Sequence, residues 1–214
     1  MYVPASFVEN DVSILHSCIE QNSFATLITT EPSGPAASHL PLLLDRSAGP
    51  NGTLIGHMAR ANPQWKNLAG KEALAIFQGP HAYISPAWIQ ERNVVPTWNY
   101  VAVHVSGNVQ IVEEPTALLD IVRRYVEFYE SPMPEPWQLD SAETDFTASL
   151  LNAIVGFTIE VASLEGKWKL SQNHNEGRRQ RVIKGLKTRS DENSTRIAEL
   201  MQATLLPDSQ TPLA

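Results

Sequence analysis

Between Asp11 and Gln21 the apolar residues Val12, Ile14, Leu15, Cys18 and Ile19 recur at helical spacing, which predicts a short helix capped by Asn10 or Asp11. Phe24–Thr30 is rich in β-branched residues and predicts a strand, with a turn at Pro32-Ser33-Gly34-Pro35 and a returning strand over 36–44. Pro41 has no N–H for a ladder, so it marks an edge or a bulge. Further strands are predicted over 53–58, 73–77 and 81–85, the last two parted by a bend at Gly79-Pro80. Residues 98–105 and 108–112 read as a hairpin about Ser106-Gly107. A short helix is expected from Asn62-Pro63 to about Ala69, and Pro86–Pro96 reads as a loop with one helical turn.

Leu118, Leu119, Ile121, Val122, Tyr125, Val126 and Tyr129 lie on one side of a helix over 115–130. A proline-rich connector follows over 131–140, then a helix over 142–151 and a strand over 153–161 that 166–170 extends. Two terminal helices are expected over 176–186 and 194–205, with the last few residues frayed. Hairpins joined in series, without βαβ alternation, exclude a doubly wound parallel sheet. The expectation is a mainly β (α+β) fold, an antiparallel barrel with peripheral and C-terminal helices. Its organisation is one domain over 1–188, with 189–214 a C-terminal helix and tail of the same domain.

Composition refines this picture. The chain has 214 residues, 43% apolar and 18% charged, which excludes a wholly disordered polymer. Its net charge is −7, the reverse of a dedicated nucleic-acid binder. The charge is uneven: residues 166–189 hold eight Lys or Arg against Glu176 alone. That segment is either a solvated basic helix or a site for an anion. The single Cys18 excludes an intrachain disulfide and reads as a core residue. Neither a signal peptide nor a membrane-spanning run is seen, so the expected compartment is the cytoplasm, without membrane contact.

Three constellations could carry chemistry. In Gly56–Pro63 a strand runs into a turn and then into a helix capped by Asn62. Open N–H groups there, with Arg60 and His57, could hold a phosphate. The plainer alternative is a solvated Arg60, a hydrogen-bonded His57 and a cap. In Thr97-Trp98-Asn99-Tyr100 two aromatics flank an amide, which suits a flat heteroaromatic ligand, although one ring could equally be core. In Lys167–Asn173 short polar residues follow a strand and could line a pocket or make a turn. No histidine pair has zinc spacing, and no nucleophile elbow, P-loop or dinucleotide fingerprint is present.

Taken together, these motifs resemble one family. Met1-Tyr2-Val3-Pro4 with Phe7, Ser38-His39-Leu40-Pro41, Gly56–Trp65, Gly79–Pro86, Val95–Tyr100, Val103–Gly107 and Lys169–Asn173 follow one another as in the PaiB-type FMN-binding negative transcriptional regulators. The likeness runs from Met1 to about Leu186. It implies an FMN-binding split β-barrel, related to pyridoxamine-phosphate oxidases and flavin reductases, with FMN in grooves of a homodimer. It further implies Arg60 as a phosphate contact and Lys66 as a second cation. His57, Met58 and Ala59 would run beside the flavin, with His39, Asn62, Trp98, Asn99, Tyr100, Ser171 and Gln172 completing the set. One departure stands out: where the family more often has arginine after the Lys169–Asn173 motif, this chain has His174, then Arg178-Arg179.

The resemblance leaves three functions open. A flavin-binding regulator or sensor would contact DNA weakly at most, through 166–189 and in a salt-sensitive way. A flavin-dependent oxidoreductase would use the same pocket, with His39 or His57 available as an acid. A haem-binding or haem-degrading split barrel fits the phosphate-type turn less well.

Overall fold

The computed structural model describes residues 1–142 and 144–206. Residues 207–214, where a frayed end is expected, lie outside the described residues. The strands are β1 (Val8–Glu9), β2 (Phe24–Glu31), β3 (Gly34–Pro41), β4 (Leu43–Asp45), β5 (Thr53–Ala59), β6 (Glu72–Ile84), β7 (Thr97–Val112) and β8 (Ile154–Lys169). The α-helices are α1 (Val12–Gln21), α2 (Pro86–Ile89), α3 (Pro115–Glu130), α4 (Thr144–Asn152), α5 (Glu176–Leu186) and α6 (Glu192–Ala203). Strand order is β3-β2-β6-β7-β8-β5-β4, with β1 beside β8. The registered pairs β1–β8, β2–β3, β2–β6, β4–β5 and β5–β8 are all antiparallel.

Two expectations are corrected. The segments 73–77 and 81–85 are one strand, β6, which runs through Gly79-Pro80. The hairpin about Ser106-Gly107 is instead the interior of β7. Both glycines serve close approach rather than turning. A Cβ on Gly107 would lie 2.0 Å from the Glu160 carbonyl oxygen, and one on Gly79 would lie 3.1 Å from the Val101 Cβ. Similarly, 154–169 form one uninterrupted strand, while Pro41 ends β3, an edge strand of the sheet as its missing N–H predicts, and β4 follows separately.

By compactness the chain divides into two units. The first comprises Met1–Asn22, Phe77–His104 and Glu165–Ala214. Asp11 caps α1 by accepting from the N–H groups of Ser13 and Ile14, and α1 buries Leu15, Cys18 and Ile19. Burial pushes the Cys18 thiol up to about 11, so it stays neutral. Asn175 and Asp191 cap α5 and α6. The two helices pack together and bury Val182, Ile183, Leu186, Ile197, Ala198 and Met201. Trp88 of α2 lies flat against Gly185 of α5, where a Cβ would stand 2.3 Å from its ring.

The second unit comprises Ser23–Ile76 and Val105–Leu164. Its core contains Leu27, Leu42, Leu54, Phe157 and Ile159, all fully buried. Each such side chain stabilises by about 1.5–3 kcal/mol relative to exposure. The helix α3 follows the sequence expectation, with Glu114 capping Thr116 and Ala117 and Pro115 in its first turn. Leu118 and Ile121 crowd Gly156 of β8, which admits them only because it lacks a Cβ.

Candidate functional site

In the second unit, β5 pairs with β8 along its length, with His57 opposite Gly156, Met58 opposite Val155 and Ala59 opposite Ile154. On its other side β4 reaches only Thr53–Ile55, so Gly56–Ala59 has no strand partner there among the described residues. Alternation turns Met58 into the core, 2% exposed, and turns His57 and Ala59 the other way. The backbone of this segment, not the Met58 side chain, is what a ligand could meet.

His57 sits edge-on to Tyr125 of α3, with ring centroids 4.8 Å apart at 70°. Tyr125 is fixed in turn, because its hydroxyl donates to the carbonyls of Pro41 (2.6 Å) and Ile55 (3.0 Å). The His57 Nδ1 atom is buried and has no hydrogen-bond partner. Burial also lowers the His57 pKa, so the ring is neutral at pH 7. A buried, unpaired ring nitrogen next to an open strand edge is the kind of orphaned group a ligand satisfies.

The turn that follows differs from its expected form. Pro63–Asn67 is a five-residue 3-10 turn, too short to present a helix dipole. Asn62 does cap, accepting from the Gln64 N–H at 3.0 Å, and its Nδ2 donates to the Ser38 hydroxyl at 2.9 Å. Ser38 donates to Gln64 Oε1 at 2.5 Å, and Gln64 Nε2 donates to Thr29 at 2.9 Å. This buried polar knot joins β2, β3 and the turn. Gln64, 3% exposed, is its hub.

The Arg60 guanidinium is engaged within the chain. It donates to the carbonyls of Asn152 (3.1 Å) and Ile154 (3.0 Å), pairs with Glu113 at 2.7 Å and lies over the Trp65 ring. These contacts take three of its five N–H donors, so a phosphate would have to compete with Glu113. Lys66 stands in the last turn of the 3-10 segment. His39 is exposed on β3, its Nδ1 3.1 Å from Thr26 Oγ1 and its ring beside Phe24.

In the first unit, Trp98 is 52% exposed and is flanked by Tyr83 (5.9 Å, edge-on) and His81 (6.1 Å). Asn99 points the other way, is 1% exposed and exchanges hydrogen bonds with Ser171 at 3.1 and 3.2 Å. Ser171 takes a left-handed backbone (φ 64°), which this pair holds. Gln172 is occupied internally, accepting from the Leu170 N–H and donating to the Trp168 carbonyl. Tyr100 faces Lys167 at 5.3 Å. Lys169 donates to the Thr97 hydroxyl and the Trp98 carbonyl, and its pKa is lowered by burial. Thus Trp98 and Tyr83 offer aromatic surface, while Asn99, Ser171 and Gln172 build the turn behind it.

A family described as "Putative FMN-binding domain" matches residues 1–163. The chain belongs to this FMN-binding family. FMN is therefore the cofactor of this domain, and the fold is the expected antiparallel split barrel with helices. The chain is 38% identical over 206 residues to the protease synthase and sporulation protein PAI 2 of Bacillus subtilis, covering 96% of this chain and 98% of that one. Among solved structures it is similar to the flavocytochrome Anf3 of Azotobacter vinelandii (TM-score 0.54, 11% identity, 76% of this chain and 69% of that one). It is also similar to Rv2991 of Mycobacterium tuberculosis (TM-score 0.54, 17% identity, 81% and 92%). Those two likenesses concern the fold.

The donor set fits such a cofactor. A flavin offers a flat ring, hydrogen-bonding ring edges and a phosphate. The second unit by itself offers an unpaired imidazole nitrogen, a strand segment with one free side among the described residues, and Lys66. Sequence reading missed Gln64, Ser38 and Thr29 as groups that brace the turn. Ser38 and Gln64 each stand within a motif of the sequence, but nothing there pairs them, and Thr29 carries no such signal. Among the described residues no group of three or more His, Cys, Asp and Glu could hold a metal ion, and no helix is long and apolar enough to cross a membrane.

Proposed function

We propose that this chain is a cytoplasmic, FMN-binding homodimer in which the flavin serves a regulatory or sensing role. The observation that carries the flavin reading is the buried His57 Nδ1 without a partner, beside the open edge of β5. In the second unit the flavin contacts are His57, the backbone of Met58 and Ala59, and Lys66, with Arg60 and Asn62 bracing the turn. In the first unit the contact is the Trp98 face with Tyr100, held by Asn99, Ser171 and Gln172. Exposed Phe24 (68%), Trp98 and Val95 (73%) are apolar surface that pairing with a second copy would cover. When bound, FMN supplies the redox chemistry, and the chain supplies orientation and electrostatics. His57, neutral and fixed by Tyr125, presents one ring nitrogen to a hydrogen-bonding edge.

The regulatory reading is supported by the 38% identity to PAI 2, whose name links that protein to protease synthesis and sporulation. Contact with DNA through 166–189 is weak in this reading. Six of the eight cations there have partners within the chain: Lys167 with Tyr2, Lys169 with Thr97, Arg178 and Arg181 with Glu91, Arg179 with Thr204, and Arg189 with Asp191. The test combines sedimentation with flavin reduction. A dimer whose FMN is not turned over by NADH or NADPH supports the proposal. Steady turnover with either nicotinamide transfers the flavin to the oxidoreductase reading.

A further inference from the structure

The first unit contains a cavity of about 280 Å³ that opens between α1, α6 and the strands. It shares no lining residue with the flavin contacts named above. Cys18, Pro80, Val101 and Trp168 line it and are all buried. Leu200 and Ala203, three residues apart on α6, form a wall that is only partly covered. Trp168 and the whole of α6 lie beyond residues 1–163, the part of the chain that the family match covers.

The polar groups at this cavity select neither sign of charge. Arg196 and Glu199 stand three residues apart on α6, and both are exposed to solvent. Their opposite charges give the mouth no net sign, and water solvates both. The amides are turned to neighbours within the chain: Gln21 Oε1 accepts from Arg196 at 3.3 Å, and Asn22 Nδ2 donates to the Cys18 carbonyl at 2.8 Å and lies 3.7 Å from its Sγ. The Cys18 thiol behaves as a small apolar group. What the cavity offers a ligand is therefore apolar surface, from Trp168, Pro80, Val101, Leu200 and Ala203. Such a chamber gains by taking apolar area out of water and penalises a charge left without a partner. An apolar cavity of about 150 Å³ already accepts benzene, so this one has room for a single substituted ring. Trp168 gives that ring an aromatic neighbour to pack against, offset or edge-on. We infer that this cavity is a second ligand site, for uncharged single-ring aromatic molecules.

The test uses the full-length chain at pH 7 and three probes of matched size: toluene, benzoate and benzylamine, which carry no charge, a negative charge and a positive charge. Binding is read by calorimetry and by tryptophan fluorescence. Saturable binding of toluene at one per chain is expected, with both ions weaker by about tenfold or more. Leu200→Trp and Ala203→Phe each fill the chamber from α6 and should abolish toluene binding, far-ultraviolet circular dichroism showing which of the two folds. Toluene binding should be the same with and without saturating FMN, which separates this site from the flavin contacts. Absence of saturable toluene binding by the native chain would overturn the inference. So would benzoate or benzylamine binding as tightly as toluene, displacement of toluene by FMN, or undiminished toluene binding by a folded cavity-filling variant.

Discussion

The Tyr125 hydroxyl bonds two backbone carbonyls, those of Pro41 and Ile55, and the same ring meets His57 edge-on at 4.8 Å. A helix residue thereby locks both the end of β3 and the β5 strand that carries His57. Tyr125→Phe keeps the ring contact and removes the two hydrogen bonds. It should cost about 1–3 kcal/mol, since the one proton shared between the two carbonyls is lost and those acceptors are left without it. The melting temperature should fall by about 2–4 °C for each kcal/mol lost. An unchanged melting temperature would show that the hydroxyl does not brace the strand.

Gly107 and Gly70 separate two reasons for glycine. A Cβ on Gly107 would meet the Glu160 backbone at 2.0 Å, whereas Gly70 (φ 70°) has nothing within 4 Å. Gly107→Ala should abolish soluble folded protein or cost more than about 4 kcal/mol. Gly70→Ala should cost only about 1–2 kcal/mol, the left-handed backbone penalty. Denaturant midpoints of the two variants check the contrast.

His57 should titrate below its ordinary value of 6.5, because burial disfavours its charged form. The sign follows: the folded state resists protonation, so the group's contribution to stability is complete above about 6.5 and declines as pH falls below it. Imidazole chemical shifts measured against pH should give a midpoint under 6.5. A midpoint at or above 6.5 would contradict the buried, unpartnered ring.

Asp45 provides a second pH window. The Arg124 guanidinium at 2.6 Å, then Ser47, hold its carboxyl at about 2 rather than 3.8. Its contribution is present above about pH 4 and is lost as pH falls toward 2. The stability advantage of the native chain over Asp45→Asn should therefore shrink across that range in urea titrations. An advantage independent of pH would count against the pair.

Much of the fold was legible because its periodicities are strong. The helices 115–130 and 176–186 stand where Leu118, Ile121 and Tyr125, and Val182, Ile183 and Leu186, predict them. The long strands were not, because Gly79-Pro80 and Ser106-Gly107 carry turn chemistry locally. Their placement is decided by Val101 and Glu160, which are remote in sequence. The site followed the same division. The strand over 53–58 that carries His57 could be read from the chain; that Trp98 is an exposed ring could not. The knot joining Asn62 and Gln64 to Ser38 and Thr29 could not, since its partners lie 24 to 35 residues apart. Nor could the engagement of Arg60 by Glu113, a residue 53 positions away in the link between β7 and α3.

FMN binding by this domain through the His57 segment can be measured directly. The most direct test is to purify the chain without added cofactor, record its visible spectrum and titrate FMN into the native protein and His57→Leu, a variant that keeps the buried volume but has no ring nitrogen. The native protein should give a saturable flavin spectrum at one FMN per chain, and the folded variant should bind at least tenfold more weakly. No flavin spectrum and no saturation by the native protein, or equal affinity in the two, would contradict it.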